Sequence, residues 1–71
     1  MRVFSERLRY ERKMIGYSQR DMADMLGISH STYLHYELLG TPSGREPSFE
    51  TVKKIADILQ VSIDYLFGRE D

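Results

Sequence analysis

Apolar residues along the chain recur at helical spacings, and the pattern predicts five helices and no strands. Phe4, Leu8 and Ile15 share one helical face, which predicts a first helix from about Ser5 to Met14, capped by Ser5 and stopped by Gly16. Ser18 opens a second helix with Asp21 three residues on, a capping box with aspartate in place of the usual glutamate. Met22, Ala23 and Leu26 give that helix an apolar stripe, which Met25 would extend, and Gly27 ends it in a position that tolerates positive φ. Ser29 caps a third helix, expected from about His30 to Leu38. Two prolines and two glycines in "LGTPSGREPS" mark a loop. Val52, Ile55, Ala56 and Leu59 then fall at i, i+3, i+4 and i+7, the strongest periodicity in the chain, and place a fourth helix from Ser48 to about Leu59. In "VSIDYLFG", Ser62 caps a last short helix carrying Ile63, Leu66 and Phe67, and Gly68 ends it.

Length bounds what these helices can build. Seventy-one residues make one domain with a modest core, expected over 1–71. There are no cysteines, which removes disulfides and thiolate zinc sites. No apolar run approaches the roughly 20 residues of a membrane span, and "MRVFSERLRYERK" lacks the apolar centre of a signal peptide. The expected compartment is the cytoplasm.

The net charge is −1, less basic than many nucleic-acid binders. Its distribution changes that picture. Residues 1–20 carry six lysines and arginines against two glutamates, whereas residues 46–71 carry three cations against six carboxylates. One end of the molecule could therefore face phosphates, although mixed charge also serves plain solubility.

Only a tight turn fits between Leu26 and His30. Two short helices joined through a glycine in this way form a helix-turn-helix, here over about residues 18–38. "GYSQRDMADMLGISHSTYLHYE" resembles the helix-turn-helix of the lambda/434 repressor and Cro family, also called the XRE family, through Gly16, Ser18, Gln19, Ala23, Leu26, Gly27, Ser29 and Glu37. "PSFETVKKIADILQVSIDYLFG" resembles that family's remaining helices, so the likeness runs from about Phe4 to Gly68. It implies an all-α, five-helix, lambda-repressor-like domain that binds double-stranded DNA.

The same resemblance implies roles residue by residue. Ser29, His30, Ser31 and His35 fall where the family touches base edges in the major groove. Gln19 falls where it binds a phosphate and braces the third helix, and Arg12 with Glu37 where it forms an internal ion pair. Arg12 meeting phosphate is the alternative. This third helix has no lysine or arginine. Serine and histidine can nevertheless donate to or accept from bases, guanine N7 and O6 being natural acceptors for histidine. Cations mainly supply affinity through phosphates. Arg20 and Arg45 are the principal candidates for backbone contact, with Arg2, Arg7, Arg9 and Lys53 behind them.

Two features depart from the family pattern. Leu34 falls on the face that should meet the groove, where it would touch a thymine methyl or mark a protein interface. The loop from Leu38 to Pro47 is several residues longer than the usual connection.

Other chemistry finds little footing. His30 and His35 are five apart, unlike the i, i+4 pair of a helical zinc site. Neither a glycine-rich phosphate loop nor a serine–histidine–acid set can be assembled. The sequence therefore reads as a DNA-binding transcriptional regulator of the repressor kind, with no enzymatic activity and no metal or small-molecule cofactor. It is expected to act as a homodimer, with Ile63, Tyr65, Leu66 and Phe67 at the interface, although the same groups could close the monomer's own core. The rival is a protein-interaction module, such as an antitoxin or a regulator's partner, motivated by the net charge and by Leu34.

Overall fold

The computed structural model describes residues 2–69. Five helices are present: α1 (Arg2–Ile15), α2 (Gln19–Leu26), α3 (His30–Tyr36), α4 (Phe49–Leu59) and α5 (Ile63–Leu66), with no strand among the described residues. None of these helices is long and apolar enough to cross a membrane.

Four of the five start on a serine whose hydroxyl accepts the N–H three residues on: Ser18 from Asp21, Ser29 from Thr32, Ser48 from Thr51 and Ser62 from Tyr65. Each cap satisfies an otherwise orphaned donor and stabilises its helix by about 1 kcal/mol. At Ser18 the box is reciprocal, because Asp21 Oδ2 accepts the Ser18 N–H at 2.9 Å. That bond and the one from the Ser18 hydroxyl hold the Asp21 carboxyl below its ordinary range. Gly27 ends α2 at φ 69°, a left-handed conformation that lets α3 leave at a sharp angle.

The caps set where helices begin, and the apolar stripes set how they assemble. α2 packs chiefly on α3, while α4 spans the interior, touching α1, α2 and α5. The fully buried side chains Phe4, Leu8, Met22, Tyr33, Ile55 and Leu66 come from all five helices, so one core joins every element. The Phe67 ring stacks on Phe4 with centroids 5.0 Å apart, which ties the chain's C-terminal end to the first turn of α1.

Several local expectations give way to these contacts. α1 starts three residues before Ser5. Nothing in Arg2, Val3 or Phe4 breaks a helix, and the Phe67 stack holds that first turn. Ser5 is consequently not a cap; it is buried, and its hydroxyl donates to the Arg2 carbonyl at 3.0 Å. Ile15 and Met25, expected on buried faces, are exposed. α3 ends at Tyr36 rather than Leu38. The Leu38 and Leu39 N–H groups bond to carbonyls only three residues back, at His35 and Tyr36, and tighten the chain out of the α-helix. Leu66, expected at a dimer interface, has no exposed surface: it lies inside the monomer's own core.

Candidate nucleic-acid interface

The inner face of α3 is fixed by a buried polar network. Glu37, the residue that ends the helix, keeps only 3% of its surface exposed, and Arg12 on α1 keeps 7%. Arg12 Nε donates to Glu37 Oε2 at 2.6 Å and Arg12 Nη2 donates to Glu37 Oε1 at 3.3 Å. The Tyr33 hydroxyl donates to Oε2, and Gln19 Nε2 from the start of α2 donates to Oε1 at 3.1 Å. A further Arg12 N–H reaches the Tyr17 carbonyl at 2.8 Å. One carboxylate thus collects α1, α2 and α3.

The titration behaviour follows from that geometry. Burial alone would raise the Glu37 carboxyl, but hydrogen bonds from Arg12, Tyr33 and Gln19 outweigh it and hold the group below the usual carboxylate range. Burial, together with the bond to Glu37, raises the Tyr33 phenol well above its usual value. Burial works to lower the Arg12 guanidinium, yet pairing with Glu37 raises it overall, and the charge is permanent. No buried side-chain polar atom among the described residues lacks a partner. A network satisfied to that degree fixes one placement of α3 against its neighbours.

The outer face of α3 is what remains. Ser31 and Leu34 are exposed, while His30, Thr32 and His35 are half-buried. The Ser29 hydroxyl accepts the Thr32 N–H at 3.1 Å as the cap and donates to Thr32 Oγ1 at 2.9 Å, so Thr32 engages its proton. His35 Nδ1 lies 2.7 Å from the Ser43 carbonyl in the long loop. The Gln19 carboxamide braces α3 through Glu37. Arg20, its neighbour, and Arg45, whose backbone N–H bonds to the His35 carbonyl at 3.0 Å, are exposed and form no ion pair among the described residues.

Away from α3, the expected dimer residues other than Leu66 are half-buried. Tyr65 is half-buried and its hydroxyl donates to Glu11 Oε2 at 2.6 Å. Arg7 stacks over the Tyr65 ring, 4.5 Å from its centroid, and also donates to the Tyr65 carbonyl. Ile63 and Phe67 are half-buried and pack against the core. Lys53 caps the exposed ring of Phe49 and pairs with Glu50 at 3.6 Å.

Two contributors differ in how far the sequence announces them: Tyr33 reads as core between α2 and α3, without its hydroxyl's part in the network. Tyr33 stands four residues before Glu37, the spacing at which helical side chains meet, and a buried tyrosine requires a hydroxyl partner. The Ser43 carbonyl carries no comparable signal, because a backbone atom in an aperiodic loop has no side-chain signature.

A short helix pair locked against a third helix, with serine, histidine and one leucine on the outer face of its second member, defines a small all-helical helix-turn-helix domain. A helix-turn-helix family model matches residues 8–66, and the chain belongs to that family. The chain is 44% identical over 68 residues to the uncharacterized HTH-type transcriptional regulator YqaE of Bacillus subtilis, covering 96% of this chain and 55% of that protein. It is 48% identical over 65 residues to the cryptic phage CTXphi transcriptional repressor RstR of Vibrio cholerae, covering 90% of this chain and 54% of that one. With the HTH-type transcriptional regulator AnsR of Bacillus subtilis, identity is 42% over 66 residues, 92% of this chain and 53% of the relative. The chain spans about half the length of the curated relatives it matches. No solved structure matches it significantly.

Proposed function

We propose that this chain is the DNA-reading domain of a sequence-specific transcriptional regulator, a repressor in the manner of its phage relative, working in the cytoplasm. α3 enters the major groove, and His30, Ser31 and His35 meet base edges there. Ser29 anchors the start of the helix and makes at most an accepting contact. Arg20, Arg45 and the second amide hydrogen of Gln19 meet the backbone, where phosphate contacts supply salt-dependent affinity without sequence information. The observation that carries this reading is the division of α3 into two faces. Tyr33, Tyr36 and Glu37 are buried and fixed, while Ser31 and Leu34 stay exposed.

The unit of reading is one domain with its helix-turn-helix over about residues 18–38. Its few base contacts call for a homodimer on half-sites about 34 Å apart. Ile63, Tyr65 and Phe67 keep enough exposed surface to contribute to such an interface, whereas Leu66 does not. The reading involves no catalytic step and no cofactor. A protein-interaction module is the second reading, favoured by Leu34, an apolar side chain 37% exposed in the middle of the outer face.

Selection from pooled random duplexes at two salt concentrations tests the proposal. An enriched near-palindrome whose affinity falls with salt supports DNA reading, and its half-site spacing reports the dimer. Binding with no enriched sequence refutes it and turns attention to Leu34 as a protein contact.

A further inference from the structure

The loop between α3 and α4 is built against the reading helix. The Thr41 N–H donates to the Leu38 carbonyl at 2.9 Å and the Gly44 N–H to the Thr41 carbonyl at 3.0 Å. The Arg45 N–H then returns to the His35 carbonyl at 3.0 Å. At Gly44 the strands of the loop touch: a Cβ there would lie 2.2 Å from the Leu38 carbonyl oxygen and 2.5 Å from Leu39 Cα, so no side chain fits. This closure delivers the Ser43 carbonyl to His35 Nδ1 at 2.7 Å. His35 is thereby gripped twice, at its backbone carbonyl and at its ring.

A carbonyl oxygen has lone pairs and no proton, so Nδ1 must carry the hydrogen. In the neutral ring the other nitrogen, Nε2, is then an acceptor only. We propose that the loop sets the base preference of His35: with Nδ1 committed to Ser43, Nε2 reads an exocyclic amine in the major groove, adenine N6 or cytosine N4, rather than the guanine edge. Guanine N7 and O6 are themselves acceptors and repel an acceptor, as does thymine O4. On the strand His35 touches, an amino base is therefore preferred over a keto base. This corrects the expectation that guanine is the natural partner of a histidine here, which holds for a ring free to present either N–H. The inference rests on the DNA-reading proposal and deepens it.

Four measurements at pH 8 decide it. Long-range 1H–15N NMR spectra of the parent protein identify the His35 tautomer. A ring protonated at Nδ1 is expected, and one protonated at Nε2 overturns the proposal. Duplex selection with the parent and with His35→Ala then identifies the base pair whose preference depends on His35. At that pair, duplexes carrying purine for adenine, or 2-pyrimidinone for cytosine, delete the amine and distinguish the two sources. Losing one neutral hydrogen bond should weaken the parent about three- to tenfold and leave His35→Ala unaffected. Equal parent binding to the amine-free duplex, or weakening by 7-deazaguanine instead, refutes the inference while DNA reading stands. Failure to enrich any sequence refutes both. Gly44→Ala should lift the loop, return His35 to mixed tautomers and abolish the amine sensitivity, with the helical circular dichroism retained. If it leaves tautomer and sensitivity unchanged, the loop is not the cause.

Discussion

Replacing Glu37 with alanine tests whether one carboxylate holds the three N-terminal helices together. The substitution leaves the buried Arg12 guanidinium without its counter-charge, holding only the Tyr17 carbonyl, strands the buried Tyr33 hydroxyl, and frees the half-exposed Gln19 amide to water. Removing one member of a buried pair costs about 3–5 kcal/mol, because the remaining charge loses both its water and its partner. A domain of this length is stable by only about 4–11 kcal/mol in total. With a urea slope of about 1 kcal/mol per molar, the midpoint should fall by about 3 M or more, and the thermal midpoint by at least about 12 °C. Urea and thermal unfolding followed by circular dichroism give both values. The triple variant Arg12→Met, Tyr33→Phe, Glu37→Met is the control, since it replaces the three buried polar groups together with apolar ones and leaves only the half-exposed Gln19 amide and Tyr17 carbonyl, which water can reach. It should recover to within about 1–2 kcal/mol of the parent, because exchanging an entire buried pair is far less costly than orphaning half of it. An alanine variant within 0.5 M of the parent, on the scale of that slope of about 1 kcal/mol per molar, would refute the reasoning. So would a triple variant as unstable as the single one.

The remaining predictions follow from single sites. Glu37 titrates below its ordinary value of 4.5 in the folded state, so its contribution is fully present above that pH and is lost as pH falls through the lower folded value. Urea midpoints measured from pH 7 to 3 should therefore drop below about pH 4.5 in the parent, and less steeply in Glu37→Gln, since the unfolded state binds the proton first. Gln60 ends α4 at φ 58°, where a side chain is strained, so Gln60→Gly should raise stability by up to about 1 kcal/mol in the same assay; a lower midpoint would contradict it. Arg20→Ala and Arg45→Ala should each reduce the salt slope of DNA binding by about one and weaken all sequences alike. A change confined to one sequence would assign the arginine to a base.

How much of this was legible depends on the range of the interaction. The serine caps and the Gly27 turn are settled within four residues, and their signals stand in the sequence at Ser18, Ser29, Ser48 and Ser62. The α4 stripe needed only its own period. The misplaced elements depend on distant partners. The start of α1 is held by Phe67, and Leu66 is covered by the core rather than by a second subunit. Periodicity puts Ile15 and Met25 on buried faces, but burial requires a facing element as well as a face. Arg12 and Glu37, twenty-five positions apart, came from family likeness alone, because no local pattern joins two residues on separate helices.

The same distinction explains why the reading face is harder to read than the fold. The fold tolerates any side chains that fill one core, and its signal is spread over many positions. The base preference proposed for His35 depends on one loop carbonyl 2.7 Å from one ring nitrogen. That contact requires the additional loop residues, and the closed loop requires glycine at position 44. A shorter connection with the same α3 sequence would leave the imidazole free to present Nδ1–H or Nε2–H. Two chains with identical reading helices could then prefer opposite base edges. On that proposal, the residues on α3 do not suffice to define this chain's operator, and the loop that follows the helix belongs to the reading site with it.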